Sequence, residues 1–141
     1  MTCTFFGHRN TYRDIQPTLA STIIDLIETK QVDTFYYGNH GNFDRMVHTE
    51  LKKLKAQYPH IRCFMVLAYL PSKDEHPEAE TIFPEGIEAV PKKFAISFRN
   101  QWMLDQSEFV ISYTTSSIGG AAKFTDKAIK RGRTVIQLAQ L

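Results

Sequence analysis

Cysteine is scarce in this chain. Only Cys3 and Cys63 occur among its 141 residues, and no Cys-x-x-Cys spacing joins them, which weighs against a disulfide scaffold or a redox pair. Both lie in apolar runs, so buried free thiols are expected. No sign of charge dominates either. Seventeen Lys and Arg stand against 15 Asp and Glu, a formal net charge of +2, so bulk electrostatics do not call for nucleic acid or an anionic membrane. No apolar run reaches the length of a bilayer span. The N-terminus lacks the basic, apolar and small-residue regions of a secretory leader, so the expectation is a cytoplasmic protein with no membrane partner. Three catalytic signatures are missing: the Gly-x-Gly-x-x-Gly of a dinucleotide-binding Rossmann unit, the Lys-Ser/Thr of a P-loop, and the Gly-x-Ser-x-Gly of a serine hydrolase. Internal repeats, low-complexity tracts and a dividing linker are also absent.

A hydrophobic content of 43% supports a real core, and the length suits one domain over residues 1–141. Strand-like runs alternate with helical stripes. The spacing predicts strands over 2–6, 34–37, 61–68, 109–113 and 134–138. Helices are predicted over 15–30, with Leu19, Ile23, Leu26 and Ile27 as the stripe, and over 43–58, with Phe43, Val47, Leu51 and Leu54. A third runs over 94–106, where Phe94, Phe98 and Trp102 recur at i, i+4, i+8 as a core-facing stripe. A fourth covers 121–131 and is closed by Gly132. The alternation implies an α/β fold: a Rossmann-like, doubly wound, mostly parallel five-stranded sheet with helices on both faces. Ligands of such sheets bind beyond the carboxyl ends of the strands, where strand order reverses. Residues 69–91 form a long loop with Pro71, Pro77, Pro84 and Pro91 among Asp74, Glu75, Glu78, Glu80, Glu85 and Glu88. It reads either as a solvated insertion or as a lid or oligomer contact.

Four motifs gather at that predicted edge. Gly7-His8-Arg9 follows the first strand. Arg9 there binds phosphate or carboxylate, or caps a neighbouring carbonyl; His8 serves a ligand or holds the turn. After the second strand comes Gly38-Asn39-His40-Gly41-Asn42-Phe43-Asp44, whose glycines and asparagines permit left-handed backbone. Asn42 is the expected N-cap of the next helix. Asp44 either meets a sugar hydroxyl or complements the helix dipole. His40, Asp44 and His48 have helical spacing, but His40 precedes the helix and no third strong ligand follows, so no metal is expected. Arg99-Asn100 lies within the third helix, where Arg99 reaches a ligand or pairs with Asp105 or an acidic loop residue. Last, the fourth strand leads through Ser116 and Ser117 to Gly119-Gly120 at a helix start. Backbone N–H groups and the dipole make that position a phosphate cradle.

Taken in order, Phe5-Phe6-Gly7-His8-Arg9, Gly38-Asn39-x-Gly41-x-x-Asp44, Arg99-Asn100-x-x-Met103-x-x-x-Ser107 and Gly119-Gly120-Ala121-Ala122 resemble the SLOG superfamily. The similarity is to its YpsA-like branch of small bacterial proteins, distant kin of the LOG phosphoribohydrolases and of DNA-processing protein A. The resemblance spans nearly the whole chain. It implies a nucleotide or nucleotide-derived ligand such as ADP-ribose, no required cofactor, homo-oligomerisation, and a sensor role of the kind found in phage-defence and stress systems. By the same resemblance, Gly7 and Arg9 frame the ligand, Gly38, Asn39, Gly41 and Asp44 shape its ribose side, Arg99 and Asn100 face the pocket, and Gly119 and Gly120 hold phosphate. The LOG hydrolases carry a catalytic Glu in Pro-Gly-Gly-x-Gly-Thr-x-x-Glu, with an Arg from a preceding helix. Arg99 matches that Arg, but Lys123 and Phe124 stand where the Glu belongs. Binding without catalysis is therefore the first expectation. Nucleoside-monophosphate N-glycoside hydrolysis, with Arg99 and Asp44 as the catalytic candidates, is the second. Single-stranded nucleic-acid binding is the third, because the basic residues of the last helix sit in a nearly neutral chain.

Overall fold

The structure, a computed structural model, describes residues 1–11, 14–70 and 79–140. Its elements run in chain order as β1 (Thr2–Gly7), α1 (Gln16–Thr29), β2 (Thr34–Tyr37), α2 (Asn42–Gln57), β3 (Arg62–Val66), β4 (Thr81–Ile82), α3 (Ala95–Asp105), β5 (Phe109–Tyr113), α4 (Gly120–Lys130) and β6 (Thr134–Gln137). All strand pairings are parallel, in the order β4-β3-β2-β1-β5-β6. The Rossmann-like architecture expected from the alternation is present. It has six strands rather than five, because two residues of the expected long loop pair with Met65 and Val66 as β4. That loop also holds a one-turn 3-10 helix at Ile87–Ala89, and a second, Lys92–Phe94, follows it. Its Pro71, Asp74, Glu75, Pro77 and Glu78 lie outside the described residues.

Strand side chains alternate between two covered faces. Cys3 and Phe5 of β1 join Phe35, Tyr37, Phe109 and Ile111 under the α1 stripe of Leu19, Ile23, Leu26 and Ile27 and the α2 stripe of Phe43, Val47, Leu51 and Leu54. Phe6, Val66 and Val110 point the other way, onto Met103 and Leu104 of α3 and Phe124 and Ala128 of α4. Burial on both faces explains why the strands read as continuous apolar runs. Cys3 is a buried free thiol, as expected, and Cys63 a half-buried one. Pro17 occupies the first turn of α1, where its missing N–H costs nothing. Gly132, in left-handed backbone at φ 74°, closes α4 by donating to the Ile129 carbonyl.

Three local expectations are corrected. The N-cap of α2 is Gly41, and Asn42 is its first helical residue, because the Asn42 N–H donates to the Arg9 carbonyl at 2.8 Å. Of the expected aromatic stripe, Phe94 and Phe98 face outward, 53% and 36% exposed, while Trp102 is half-buried against Tyr36 and the core, and Arg99, Asn100, Met103 and Leu104 are buried. Asp105 takes Arg131 as its ion-pair partner at 2.8 Å, not Arg99.

Among the described residues, no helix is long and apolar enough to cross a membrane.

Candidate functional site

The order β4-β3-β2-β1-β5-β6 reverses direction between β1 and β5, and a crevice opens at the carboxyl ends of strands on either side of such a reversal. Here Gly7 ends β1 opposite Tyr113, the end of β5. A cleft of about 390 Å³ lies over this point, lined by Phe5, Phe6, Gly7, His8, Arg9, His40, Asp44, Ile96, Arg99, Asn100, Gly119, Gly120 and Ala121. That volume falls within the range of small-molecule sites. Three loops, after β1, β2 and β5, thus meet one helix, α3.

The β1 loop is fixed by close packing. A Cβ at Gly7 would lie 2.1–2.6 Å from three ring atoms of Phe43, so only glycine lets β1 end against the start of α2. The His8 N–H donates to the Tyr113 carbonyl at 3.2 Å, and His8 Nε2 accepts from the Thr115 N–H at 2.9 Å. These bonds tie the β1 loop to the β5 loop across the reversal point. Arg9 anchors the β2 loop through its backbone carbonyl, while its side chain is exposed and makes no hydrogen bond or ion pair among the described residues. Its guanidinium is the uncommitted cation of the cleft.

Gly38 and Gly41 answer two different demands in the β2 loop. Gly41 sits at φ 95°, ψ −176°, a region costly for other residues. A Cβ there would also meet the Arg9 Cα at 2.4 Å. Gly38 is squeezed between charges, since a Cβ on it would lie 2.8 Å from both Arg99 Nη1 and Asp44 Oδ2. Asp44 Oδ2 accepts the His40 N–H at 2.9 Å, while Oδ1 accepts no hydrogen bond among the described residues.

Arg99 is 2% exposed, and its donors are largely spent on the protein. Nε donates to Asn100 Oδ1 at 2.8 Å, Nη1 to the Val66 carbonyl at 3.0 Å and to Asn39 Oδ1 at 3.3 Å, and Nη2 to His40 Nδ1 at 3.2 Å. A guanidinium has only donors, so His40 Nδ1 must accept and Nε2 carries the ring proton. Arg99 therefore braces the 38–44 turn from beneath, as a positioning residue with a buried charge.

That charge and the burial around it perturb its neighbours. Burial raises the Asp44 carboxyl to about 6; Arg99, the His40 N–H and Arg9 pull it down without prevailing. Burial lowers the His40 imidazole to about 4, helped by Arg99 and then Arg9. Burial also lowers Arg99, against the attraction of Asp44. Two titratable groups four residues apart are thus driven in opposite directions within one cleft.

The third wall is the start of α4. Gly119, at φ 102°, is its N-cap with no capping side chain, and a Cβ there would meet only open space. The N–H groups of Gly120, Ala121 and Ala122 have no partner among the described residues; the first paired one is that of Lys123, on the Gly119 carbonyl at 3.0 Å. No acidic residue occupies this first turn. The free donors and the positive dipole end thus face the cleft uncompensated.

Of the residues singled out in the sequence, Gly7, His8, Arg9, Asp44, Arg99, Asn100, Gly119 and Gly120 line this cleft together. Gly38, Asn39 and Gly41 line an adjoining cavity of about 250 Å³, which shares Asp44. Ser116 and Ser117 line neither, being exposed on the β5 loop, where Ser116 Oγ accepts the Ile118 N–H. His40 and Ile96 are lining residues that the motif reading did not assign to the ligand. For His40 the signal was present, a ring inside the turn that also supplies Asp44. For Ile96 no signal in the chain marks it. Among the described residues, no group of three or more His, Cys, Asp or Glu is set to hold a metal ion.

No family model and no curated protein matches this chain. Among solved structures it is similar to DNA processing protein A from Streptococcus pneumoniae, with a TM-score of 0.56 and 12% identity over 99% of this chain. The match covers 59% of that protein's length. At that identity the likeness is one of fold, and it agrees with the parallel, doubly wound sheet.

Proposed function

We propose that the cleft binds a nucleotide or nucleotide-derived ligand, such as ADP-ribose or a phosphorylated nucleoside, as the sensing site of a binding module. One observation carries the reading: the N–H groups of Gly120 and Ala121 and the guanidinium of Arg9, all without a partner among the described residues, border the same cleft. A phosphoryl group is the ligand part that satisfies both. The resemblance to the YpsA-like SLOG proteins supports the same ligand class. A thermal-shift series over AMP, ADP-ribose, NAD and adenosine tests it. A phosphorylated ligand at a hundredfold excess over its Kd adds about 2.7 kcal/mol, a rise of roughly 8 °C for a chain of this size. Adenosine, lacking phosphate, is expected to give no rise, and Arg9→Ala to abolish the effect. Equal shifts with adenosine and AMP, or none with any ligand, would sink the proposal.

A second reading has one observation in its favour. The Asp44 carboxyl, raised to about 6, lies in the cleft and suits general acid–base work. N-glycoside hydrolysis would release free base from a nucleoside monophosphate. Chromatography of AMP incubations decides it: adenine formed by the wild type and not by Asp44→Asn supports hydrolysis, and no adenine rules it out. The solved neighbour is a DNA-processing protein, but most of the basic side chains at α4 are engaged, Lys123 over the Phe124 ring excepted. Lys130 pairs with Asp126 and Arg131 with Asp105, while Lys127 donates to Gln101.

A further inference from the structure

Six residues, Thr114 to Gly119, link the end of β5 to the start of α4. Hydrogen bonds tie this loop to other elements at two residues. At Thr114, the Gln137 side chain of β6 accepts the N–H at 3.0 Å and donates to Oγ1 at 2.6 Å. At Thr115, the N–H donates to His8 Nε2 at 2.9 Å. The next bond, from the Ile118 N–H to Ser116 Oγ, stays inside the loop. Among the described residues, the His8 bond is thus the last that anchors the loop to another element before α4. Packing adds little at the far end. Ile118 is 79% exposed, and a Cβ on Gly119 or Gly120 would meet no atom within 4 Å.

We propose that His8 is a positioning residue, a latch that holds the β5 loop in place only while its imidazole is neutral. The inference rests on the phosphate-binding reading above and deepens it, because the loop leads into the Gly120 and Ala121 N–H groups that border the cleft. A ring nitrogen accepts a hydrogen bond only when it bears no proton, so in the latched state the proton sits on Nδ1. Protonation makes Nε2 a donor and sets it against the Thr115 N–H, donor to donor. Gln137 alone then ties the loop. A ligand must order an unlatched loop again, and that ordering lowers its affinity. Histidine is the side chain whose charge ordinarily changes between about pH 5 and 8, so acidification through that range is the perturbation that opens the latch.

The release is local. The His8 N–H donates to the Tyr113 carbonyl at 3.2 Å, and the His8 carbonyl accepts from Thr11 Oγ1 at 2.7 Å. The ring can let go of Thr115 while the backbone of the β1 loop stays fixed. Charged and titratable groups border the ring's surroundings from each side of the cleft. Arg9 follows on the β1 loop, His40 comes from the β2 loop, Asp44 from α2 and Arg99 from α3. The β5 loop carries none, and α4 adds Lys123 over the Phe124 ring. His40 is lowered to about 4 and Asp44 raised to about 6, so Asp44 is the group whose titration must be told apart from that of His8.

NMR and calorimetry on wild type, His8→Gln and His8→Ala test the latch. Gln offers an amide oxygen in reach of the Thr115 N–H and does not titrate in this range; Ala offers no acceptor. In the wild type, a scalar coupling between the Thr115 nitrogen and His8 Nε2 is expected at about pH 7.5 and is expected to vanish by about pH 5.5. Calorimetry with AMP reads the consequence. Over the same range, the wild-type affinity is expected to fall at least about threefold more than that of His8→Gln. At about pH 7.5, His8→Ala is expected to bind at least about threefold more weakly than the wild type. The ionisation of AMP and of Asp44 is common to all three proteins, so the difference between them reports His8. A coupling that persists at the lower pH overturns the latch. So do parallel pH profiles for wild type and His8→Gln, or tighter wild-type binding on acidification, which makes the imidazolium an anion ligand instead. Binding of AMP by none of the three overturns the phosphate reading, while the coupling still upholds or overturns the latch. Circular dichroism checks the fold of both variants, and the wild-type coupling needs neither.

Discussion

Replacing Asp44 with asparagine changes the charge of the cleft while keeping its shape, because an amide oxygen still accepts the His40 N–H now held at 2.9 Å. The effect on stability follows from two opposed proton affinities. Folding moves the Asp44 carboxyl from 3.8 up to about 6 and the His40 imidazole from 6.5 down to about 4. The folded carboxyl holds its proton more tightly than the unfolded one. Its burial therefore costs stability above about pH 6, and that cost fades as pH falls toward 4. The folded imidazole holds its proton less tightly, so it costs nothing above 6.5 and progressively more as pH falls toward 4. Between about pH 4 and 6 the two slopes have opposite sign and offset each other. Each tenfold change in proton affinity is worth about 1.4 kcal/mol, which caps either contribution near 3 kcal/mol. Both side chains are only half-buried, and water screening brings the expectation to about 1–2 kcal/mol. Asp44→Asn is thus expected to stabilise the protein by that amount at about pH 7.5, with the gain reduced to about a third by about pH 4.5. His40→Gln is expected to be near neutral at the higher pH and to stabilise by a similar amount at the lower one. Urea unfolding at four pH values between these limits, for wild type and both variants, measures it. Stability curves for Asp44→Asn that run parallel to the wild type across the range refute the reasoning.

Other variants separate packing from charge. Gly7→Ala places a methyl within 2.1–2.6 Å of the Phe43 ring, and its overpacking is expected to cost about 1–3 kcal/mol in urea unfolding. Gly41→Ala joins a strained φ of 95° to a backbone clash with Arg9, so it is expected to cost more than Gly119→Ala, which meets strain but open space. Arg99→Met leaves Asn39, Asn100 and the Val66 carbonyl without their donor. A loss of about 2–4 kcal/mol is expected, against less than about 0.5 kcal/mol for the exposed Arg9→Ala, which is expected to remove ligand binding instead.

Much of the fold was legible because its signals are local. The stripes of α1 and α2, the apolar strands and the left-handed Gly132 each follow from periodicity or a single backbone requirement. β4 escaped because two residues in a proline-rich acidic stretch carry no period. The third helix misled for a different reason. Phe94, Phe98 and Trp102 share a face by spacing, and spacing alone makes an aromatic face a core face. The tertiary structure buries Arg99 instead, because the Val66 carbonyl and the 38–44 turn need its donors. No pattern in the chain announces that demand. Within the candidate site, the glycine turns and Arg9 were readable as turn chemistry and uncommitted charge. The spent donors of Arg99 and the outward position of Ser116 and Ser117 depend on which strands lie side by side.

The brevity of β4 has a consequence for how the molecule behaves in company. Thr81 and Ile82 pair only with Met65 and Val66, so the outer backbone of Arg62, Cys63 and Phe64 has no strand partner among the described residues. Such an open ladder is a template on which a foreign strand can add. Arg62 is exposed at the start of that stretch, with its guanidinium 5.2 Å from the centre of the Phe64 ring. A charge folded over the aromatic side chain keeps the margin unattractive to a docking strand. Replacing Arg62 would bare the Phe64 ring at this margin of the sheet.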